Sequence, residues 1–476
     1  MKRVIPLLII QFFVLSIYAQ SIYTISGKVL CEGRGVENVV VTDGETCVIT
    51  DNKGVYSIPF TKSEAQFVYI STPAGYLANE SQGIPIFYEK IDRDVVKSYD
   101  FHISKNTKDD NKHLLLVHSD PQFFKMENFD MYSSVIDDCI ETIGNYCDND
   151  IVGIDAGDLV GDKPELYKTY IDYLSKTNVP FYRVPGNHDM NYGGRTHESS
   201  KQRYSDIFGP TRYSFNRGSV HYIMLDNSFY FGRDYFYMGY LDEATFKWLE
   251  QDLSYVPEGS TVFITMHIPA RLTDTPAQFD YNSHSIGVQT VNVSSLFDML
   301  KQYNVHIITG HMHYNRNIIH SSSIYEHNTA AVCGSWWQGD YCLDGTPIGY
   351  GVYEIDGNNV SWYFKSSGYP STYQFRGYPV GANSDYPNDI TVNVWNWDKD
   401  WKVEWFEDDS YMGVMEQCES FDPKVVEMCA DKDKLEFKWI SPMKTDHMFK
   451  GTPKKPNSKI TIKVTDRFGN VFIEDI

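Results

Sequence analysis

The chain has 476 residues, 42% hydrophobic and 15% aromatic, and a formal charge of -21 at pH 7. That length exceeds a single small core and predicts two or three domains. The charge excludes a general role in coating DNA or RNA, whose phosphates an acidic surface repels, although bound metal ions can reverse the field within one site.

Residues 1–20 read as an export signal peptide. Lys2 and Arg3 give a positive start, Val4 to Tyr18 are apolar apart from Gln11 and Ser16, and the small Ala19 precedes the polar Gln20 and Ser21. The apolar run is short for a bilayer, and no later stretch looks membrane-spanning. The mature chain is therefore expected to be exported, periplasmic or extracellular, with no membrane span. No Cys follows the expected cleavage point, which disfavours a lipid anchor. Export permits disulfides among the eight cysteines. Spacing favours Cys333 with Cys342 and Cys418 with Cys429. Cys139 and Cys147 share a helix-like stretch, too far apart along it to bridge, and are expected as buried free thiols.

Residues 22–104 carry short alternating apolar runs, with Ile25, Val29, Val39 and Val41 separated by Gly-rich turns, the rhythm of a compact β module. GRGVENVVVTDG at 33–44 and TDNKGVYSI at 50–58 resemble the transthyretin-like, carboxypeptidase-regulatory type of domain. No catalytic constellation appears there, and a spacer or docking module is expected. A polar, unpatterned linker follows at 104–113. From 113 to 330, short apolar runs alternate with amphipathic stretches, the signature of an α/β fold. Predicted strands lie at 114–117, 151–154, 181–184, 220–225, 262–265 and 305–308. Predicted helices lie at 131–146, 164–177, 243–253 and 293–302. From 331 to 476 helices largely vanish. Strand patterns at 350–355, 360–365, 390–394, 402–406, 435–439, 460–464 and 471–473 predict a closing β-sandwich.

Five of the central strands run into metal-competent side chains. In order these are His118-Ser119-Asp120-Pro121-Gln122, then GDLVGD at 157–162, GNHD at 186–189, His267 within TMHIP, and GHMH at 310–313. Open α/β sheets bind ligands at the carboxyl ends of their strands, so these five clusters are expected to meet in one polar crater. A lone Asp after a strand is usually a turn or cap residue, and a lone His usually a satisfied core side chain. The order and placement of all five are what single out a metal site.

The series resembles the calcineurin-like metallophosphoesterase superfamily, whose pattern is DxH, GDxxGD, GNH(D/E), a lone His and GHxH. Four motifs stand intact, and in the first Gln122 replaces the usual His. The three-part layout is similar to bacterial secreted members with β modules on both sides. The resemblance implies a central αββα sandwich flanked by two β-sandwich-like domains. It further implies two divalent or trivalent metal ions, manganese, iron or zinc, acting on a small phosphorylated substrate through a metal-bridging hydroxide. Asp120, Gln122, Asp158 and His313 would hold the first ion. Asp158, Asn187, His267 and His311 would hold the second, with Asp158 shared. A carboxylate suits that shared position, because it has two oxygens and a charge that offsets two cations.

His188 is the expected proton donor, with Asp189 or Asp155 to orient it. Gln122, a neutral amide, is expected to bind more weakly than imidazole. Arg195, His197 and Arg203 are candidate phosphate or leaving-group contacts. Trp336 and Trp337 are candidates for a pocket wall that stacks on a sugar or base. The expected function is metal-dependent hydrolysis of phosphate mono- or diesters. The alternative is a non-catalytic exported glycan-binding surface protein with a vestigial metal site, favoured only by the two β domains and the Tyr/Trp content. A nuclease is disfavoured by the lack of a basic stripe.

Overall fold

The computed structural model describes residues 23–60, 65–95, 97–232, 236–275 and 283–476. The expected signal peptide at 1–20 lies outside the described residues. Among those residues, no helix is long and apolar enough to cross a membrane.

The central fold is built from eleven strands: β1 (Lys112–His118), β2 (Asp150–Asp155), β3 (Phe181–Arg183), β4 (Tyr213–Arg217), β5 (Val220–Met224), β6 (Thr261–Thr265), β7 (Asn304–Thr309), β8 (Arg316–Ser321), β9 (Ile324–Asn328), β10 (Gly349–Asp356) and β11 (Asn359–Ser366). One sheet has the order β3-β2-β1-β10-β11 and the other β4-β5-β6-β7-β9-β8. Four longer helices cover them: α1 (Asn128–Gly144), α2 (Tyr167–Leu174), α3 (Glu243–Leu253) and α4 (Val293–Leu300).

Side-chain parity explains the layering. In β1, Leu115 and Val117 face inward and join Phe215, Tyr222 and Phe263 of the second sheet in one core. Leu114 and Leu116 face outward and pack with Tyr132, Val135, Tyr170 and Ile171 of α1 and α2. The second sheet mirrors this, with Ile264 and Ile307 packed on Trp248, Leu249, Leu296 and Leu300 of α3 and α4. The result is the expected helix–sheet–sheet–helix sandwich.

Both flanking regions are β-rich. Near the N-terminus two small sheets enclose Ile25, Val29, Val41, Ile58 and Val68. They dock on the central fold through Phe87, whose ring lies 4.6 Å from Tyr213, and through Asn216 N–H donating to Thr72 O at 2.9 Å. At the C-terminus two four-stranded sheets enclose Val392, Val403, Trp405, Ile462 and Val464.

Several expectations differ from the structure. The patterns at 350–355 and 360–365, expected in the closing β domain, join the central fold as β10 and β11, with β10 antiparallel to β1 from Lys112↔Asp356 to Val117↔Gly351. Alternation marks them as strands without saying which sheet they join. The stretch 435–439 is not a strand. It follows a 3-10 turn (Lys432–Lys434) and is closed on itself by Lys438 Nζ donating to Lys432 O at 2.6 Å. Conversely, Pro423–Ala430 is a helix, capped by Asp422, whose carboxylate accepts from Lys424 N–H at 2.8 Å, with Pro423 in the first turn. All eight cysteines are free thiols, so neither favoured bridge forms. Cys333 Sγ turns to His313, 3.6 Å from Nδ1, and Cys342 Sγ points to Ala331 O. Cys147 is exposed rather than buried, because α1 ends before it.

Candidate metal centre

Strand register brings the five loops to one edge. His118 pairs with Asp155 at the ends of β1 and β2, and Asp155 with Arg183 of β3. Thr265 of β6 pairs with Ile308 of β7 in the facing sheet. The residues that follow then turn sharply. Asp120, Gln122, Asp158, Asp162, His311 and His313 all have φ between 38° and 70°, a left-handed conformation costing about 1–3 kcal/mol each. Glycines make the close approach possible. A Cβ at residue 186 would stand 2.1 Å from Asp158 Oδ1, and one at residue 310 would stand 1.9 Å from Ser119 Oγ.

The metal-competent atoms of these loops face one another across a short gap. His267 Nδ1 donates to Ala156 O at 2.8 Å, which fixes the ring and aims Nε2 at the facing side chains. That nitrogen lies 3.2 Å from Asp158 Oδ2, 3.1 Å from Asn187 Oδ1 and 3.2 Å from His311 Nδ1. Ligand atoms of Asp158, His267 and His311 all lie within 4.8 Å of one another. Converging, buried acceptors of this kind are what a cation satisfies. Beside them, His313 Nδ1 donates to Gly334 O at 2.9 Å and turns Nε2 toward Asp120 Oδ1 at 3.5 Å. Asp120 is itself held by the N–H of His311, at 3.1 and 2.9 Å, and by the Ser119 hydroxyl. Gln122 is 2% exposed and anchored by its N–H to Asp158 O at 2.8 Å, while its Oε1 is a buried acceptor without a donor. All seven expected ligands therefore sit on these adjoining loops, and the cluster of Asp158, His267 and His311 fits a metal cation.

The electrostatics agree. Burial alone would raise Asp158, but the His267 and His188 charges outweigh it and hold the carboxyl below its usual range. Asp120 is likewise lowered against burial by His313. Burial disfavours a charged His267, yet Asp158 beside it raises its pKa to about 9, whereas burial and the His267 charge push His311 down to about 3.

His188 stands at the rim with its side chain 28% exposed. Burial lowers its pKa, but the Asp158 charge and a 3.0 Å contact from Nδ1 to Asp162 Oδ2 outweigh this and raise it above 6.5. Asp162 is thus its orienting partner, and neither Asp155 nor Asp189 contacts the ring. Asp155 is buried against Arg183 and the Tyr170 hydroxyl. Asp189 instead clamps two loops together, accepting from Leu159 N–H at 3.2 Å, Gly186 N–H at 2.8 Å and Tyr167 O–H at 2.9 Å.

The expected substrate contacts divide. Arg195 and Arg203 are exposed. His197 stacks on Phe229 and turns Nε2 to Asp226 at 3.5 Å. Trp337 is core: it stacks on Phe123 and donates from Nε1 to Pro121 O at 2.9 Å. Trp336 is at the site, stacked on His313 at 4.1 Å. Sequence reasoning missed Asp162 as a partner of His188. It also missed Tyr192, whose hydroxyl donates to Asn187 O at 2.8 Å, and Tyr237, edge-on to His311 at 6.0 Å. Asp162 was legible as the last residue of GDLVGD, whereas nothing local marks the two tyrosines. A separate cavity of about 960 Å³ opens at the other end of β1 and β7, lined by Lys112, Asn304, Trp362 and Arg467 and by none of the expected ligands.

Fold and site together define an α/β sandwich with a candidate metal centre at one edge. Residues 102–315 match the family described as Calcineurin-like phosphoesterase, residues 23–106 its N-terminal and residues 326–472 its C-terminal companion domain. The chain belongs to the calcineurin-like phosphoesterases, with a flanking domain on each side of the central one, and phosphoester hydrolysis with divalent metal ions is the general chemistry of that family. A 3',5'-cyclic-nucleotide phosphodiesterase of Nostoc sp. is 31% identical over 116 residues, 24% of this chain and 40% of that protein, so the chain spans less than half of that relative. Among solved structures, a dimetal phosphatase of Danio rerio aligns at 14% identity and TM-score 0.40, over 54% of this chain and 96% of that one. A purple acid phosphatase of yellow lupin aligns at 11% identity and TM-score 0.38, over 54% and 52%.

Proposed function

We propose that the protein hydrolyses small phosphate mono- or diesters at a dinuclear centre. Asp120, Gln122, Asp158 and His313 would hold one ion, and Asp158, Asn187, His267 and His311 the other. The observation that carries this is the convergence of His267 Nε2 with Asp158 Oδ2, Asn187 Oδ1 and His311 Nδ1, each at hydrogen-bond distance from it. Imidazole and carboxylate donors suit manganese, iron or zinc, and a pair of such ions supplies Lewis-acid activation of water and neutralises phosphate charge.

The chain's own part follows from the geometry. Water adds to phosphorus as the ester P–O bond breaks, and His188, held by Asp162 at the rim, gives its proton to the departing oxygen. No phospho-enzyme is expected, because Ser119 Oγ is committed to Asp120 and Ser335 Oγ to Tyr341 O at 2.8 Å. The relative from Nostoc is named for a cyclic diester, so diesters belong in the test. The apolar leader supports export to the periplasm or beyond, which N-terminal sequencing of the mature protein checks.

The experiment is hydrolysis of p-nitrophenyl phosphate and bis-p-nitrophenyl phosphate by metal-loaded protein, beside Asp158→Asn. Turnover lost in the variant supports the proposal. No turnover of either ester, or identical turnover in both proteins, removes it.

A further inference from the structure

Deepening the proposed phosphoesterase activity, we infer that a loop of the C-terminal domain builds an aromatic platform beside the metal centre, which takes the planar ring of a nucleotide-type substrate. The platform is an arc of rings. Phe124 lies against Gly161 of the GDLVGD loop, where an added Cβ would stand 2.3 Å from its ring. From there Phe437 is 5.3 Å away, Trp439 a further 5.8 Å, Trp336 a further 4.4 Å, and Trp336 stacks on the ligand His313 at 4.1 Å. The arc thus joins the loop of Asp158 to the loop of His313, along the edge of the candidate metal centre.

The loop is pinned, yet its largest ring is left in water. Leu435 and Ile440 are buried against Val425 and Cys429. Glu436 N–H donates to Gln338 Oε1 at 2.7 Å, and the Glu436 carboxylate pairs with Lys125. Between these anchors Trp439 is 59% exposed. It meets Trp336 edge-on, at 76°, two ring contacts from the candidate ligand His313. A rigid, exposed indole so close to a phosphate site suits a flat ring carried on the ester by a sugar-length spacer.

The neighbouring polar groups argue for stacking without base readout. Gln338 Oε1 is taken by Glu436, and Gln338 Nε2 donates to Trp336 O at 3.3 Å. Lys438 Nζ is spent on Lys432 O and Asp433 O. Hydroxyl-rich glycans need such groups free, whereas every nucleobase offers a π-face. The platform therefore favours nucleotides over plain sugar phosphates and discriminates little among bases.

The test compares AMP with ribose 5-phosphate, which differ only in the base. Wild type should prefer AMP in kcat/KM by about tenfold or more, through KM, with CMP and GMP close to AMP. Trp439→Ala should abolish that preference and Trp439→Phe restore most of it. Quenching of tryptophan fluorescence by AMP gives a second readout independent of turnover. If neither ester is cleaved, the phosphoesterase reading fails while the quench still decides the platform. Equal affinity for AMP and ribose 5-phosphate, or a preference that survives in Trp439→Ala, overturns the inference.

Discussion

Asp189→Asn separates a structural clamp from a catalytic partner. The Asp189 carboxylate is buried and accepts from the N–H groups of Leu159, Val160 and Gly186 and from the Tyr167 hydroxyl. An amide keeps one acceptor oxygen and turns an NH2 toward donors that need acceptors. Hydrogen bonds to a charged group contribute about 1.5–3 kcal/mol, and an unsatisfied buried donor costs about 1–3 kcal/mol. Because the four bonds act as a unit, the net loss is about 3 kcal/mol rather than their sum. Unfolding entropies of about 2.1 cal/mol/K per residue turn this into a Tm fall of roughly 3–6 °C, the larger value if the central fold melts alone. The same change loosens the loops of Asp158 and Asn187, so metal affinity should fall about tenfold or more. Differential scanning fluorimetry and calorimetric titration with Mn2+ measure both. If Tm and metal affinity are unchanged while the dependence on leaving-group pKa changes, Asp189 acts on His188 and the clamp account is wrong.

Gly186→Ala would place a methyl 2.1 Å from Asp158 Oδ1, so metal binding measured by calorimetry should weaken at least about a hundredfold, and an unchanged isotherm would refute the close-approach argument. The pH dependence of stability has a defined sign at His306, which stacks on Phe263, contacts His327 Nε2 at 3.0 Å and is pushed down to about 3 by burial and then by Arg467. Its folded-state pKa lies below the unfolded value of about 6.5, so the unfolded chain binds the extra proton and stability falls as pH drops below about 6.5, by about 1.4 kcal/mol per unit. His306→Gln should flatten the Tm profile between pH 7 and 5 relative to wild type, and parallel profiles would contradict this.

The central fold was legible because its chemistry is local. Leu114–Val117 alternates between two buried faces, and Asp242 caps α3 at the residue before the predicted 243–253, accepting from Thr245 N–H at 2.7 Å. The metal site was legible because each strand delivers its donors at the first turn. What sequence hides is pairing at a distance. Trp336 and Trp337 are adjacent, both left-handed in backbone, yet one stacks on His313 and the other on Phe123. Cys333 and Cys342 have a spacing that suits a bridge, but each thiol finds its own neighbour. Asp162 rather than Asp189 reaches His188, because Asp189 is claimed by the amides of the loop it closes. Trp439 comes to the site from a different domain, and no local pattern announces that.

The central claim is that Asp158 is shared by two ions. Elemental analysis of the purified full chain tests it most directly. Wild type should carry two transition-metal ions per chain and Asp158→Asn fewer than one, at matched Tm. A wild type without bound metal after manganese, iron or zinc loading, or a variant that keeps both ions, would contradict the account.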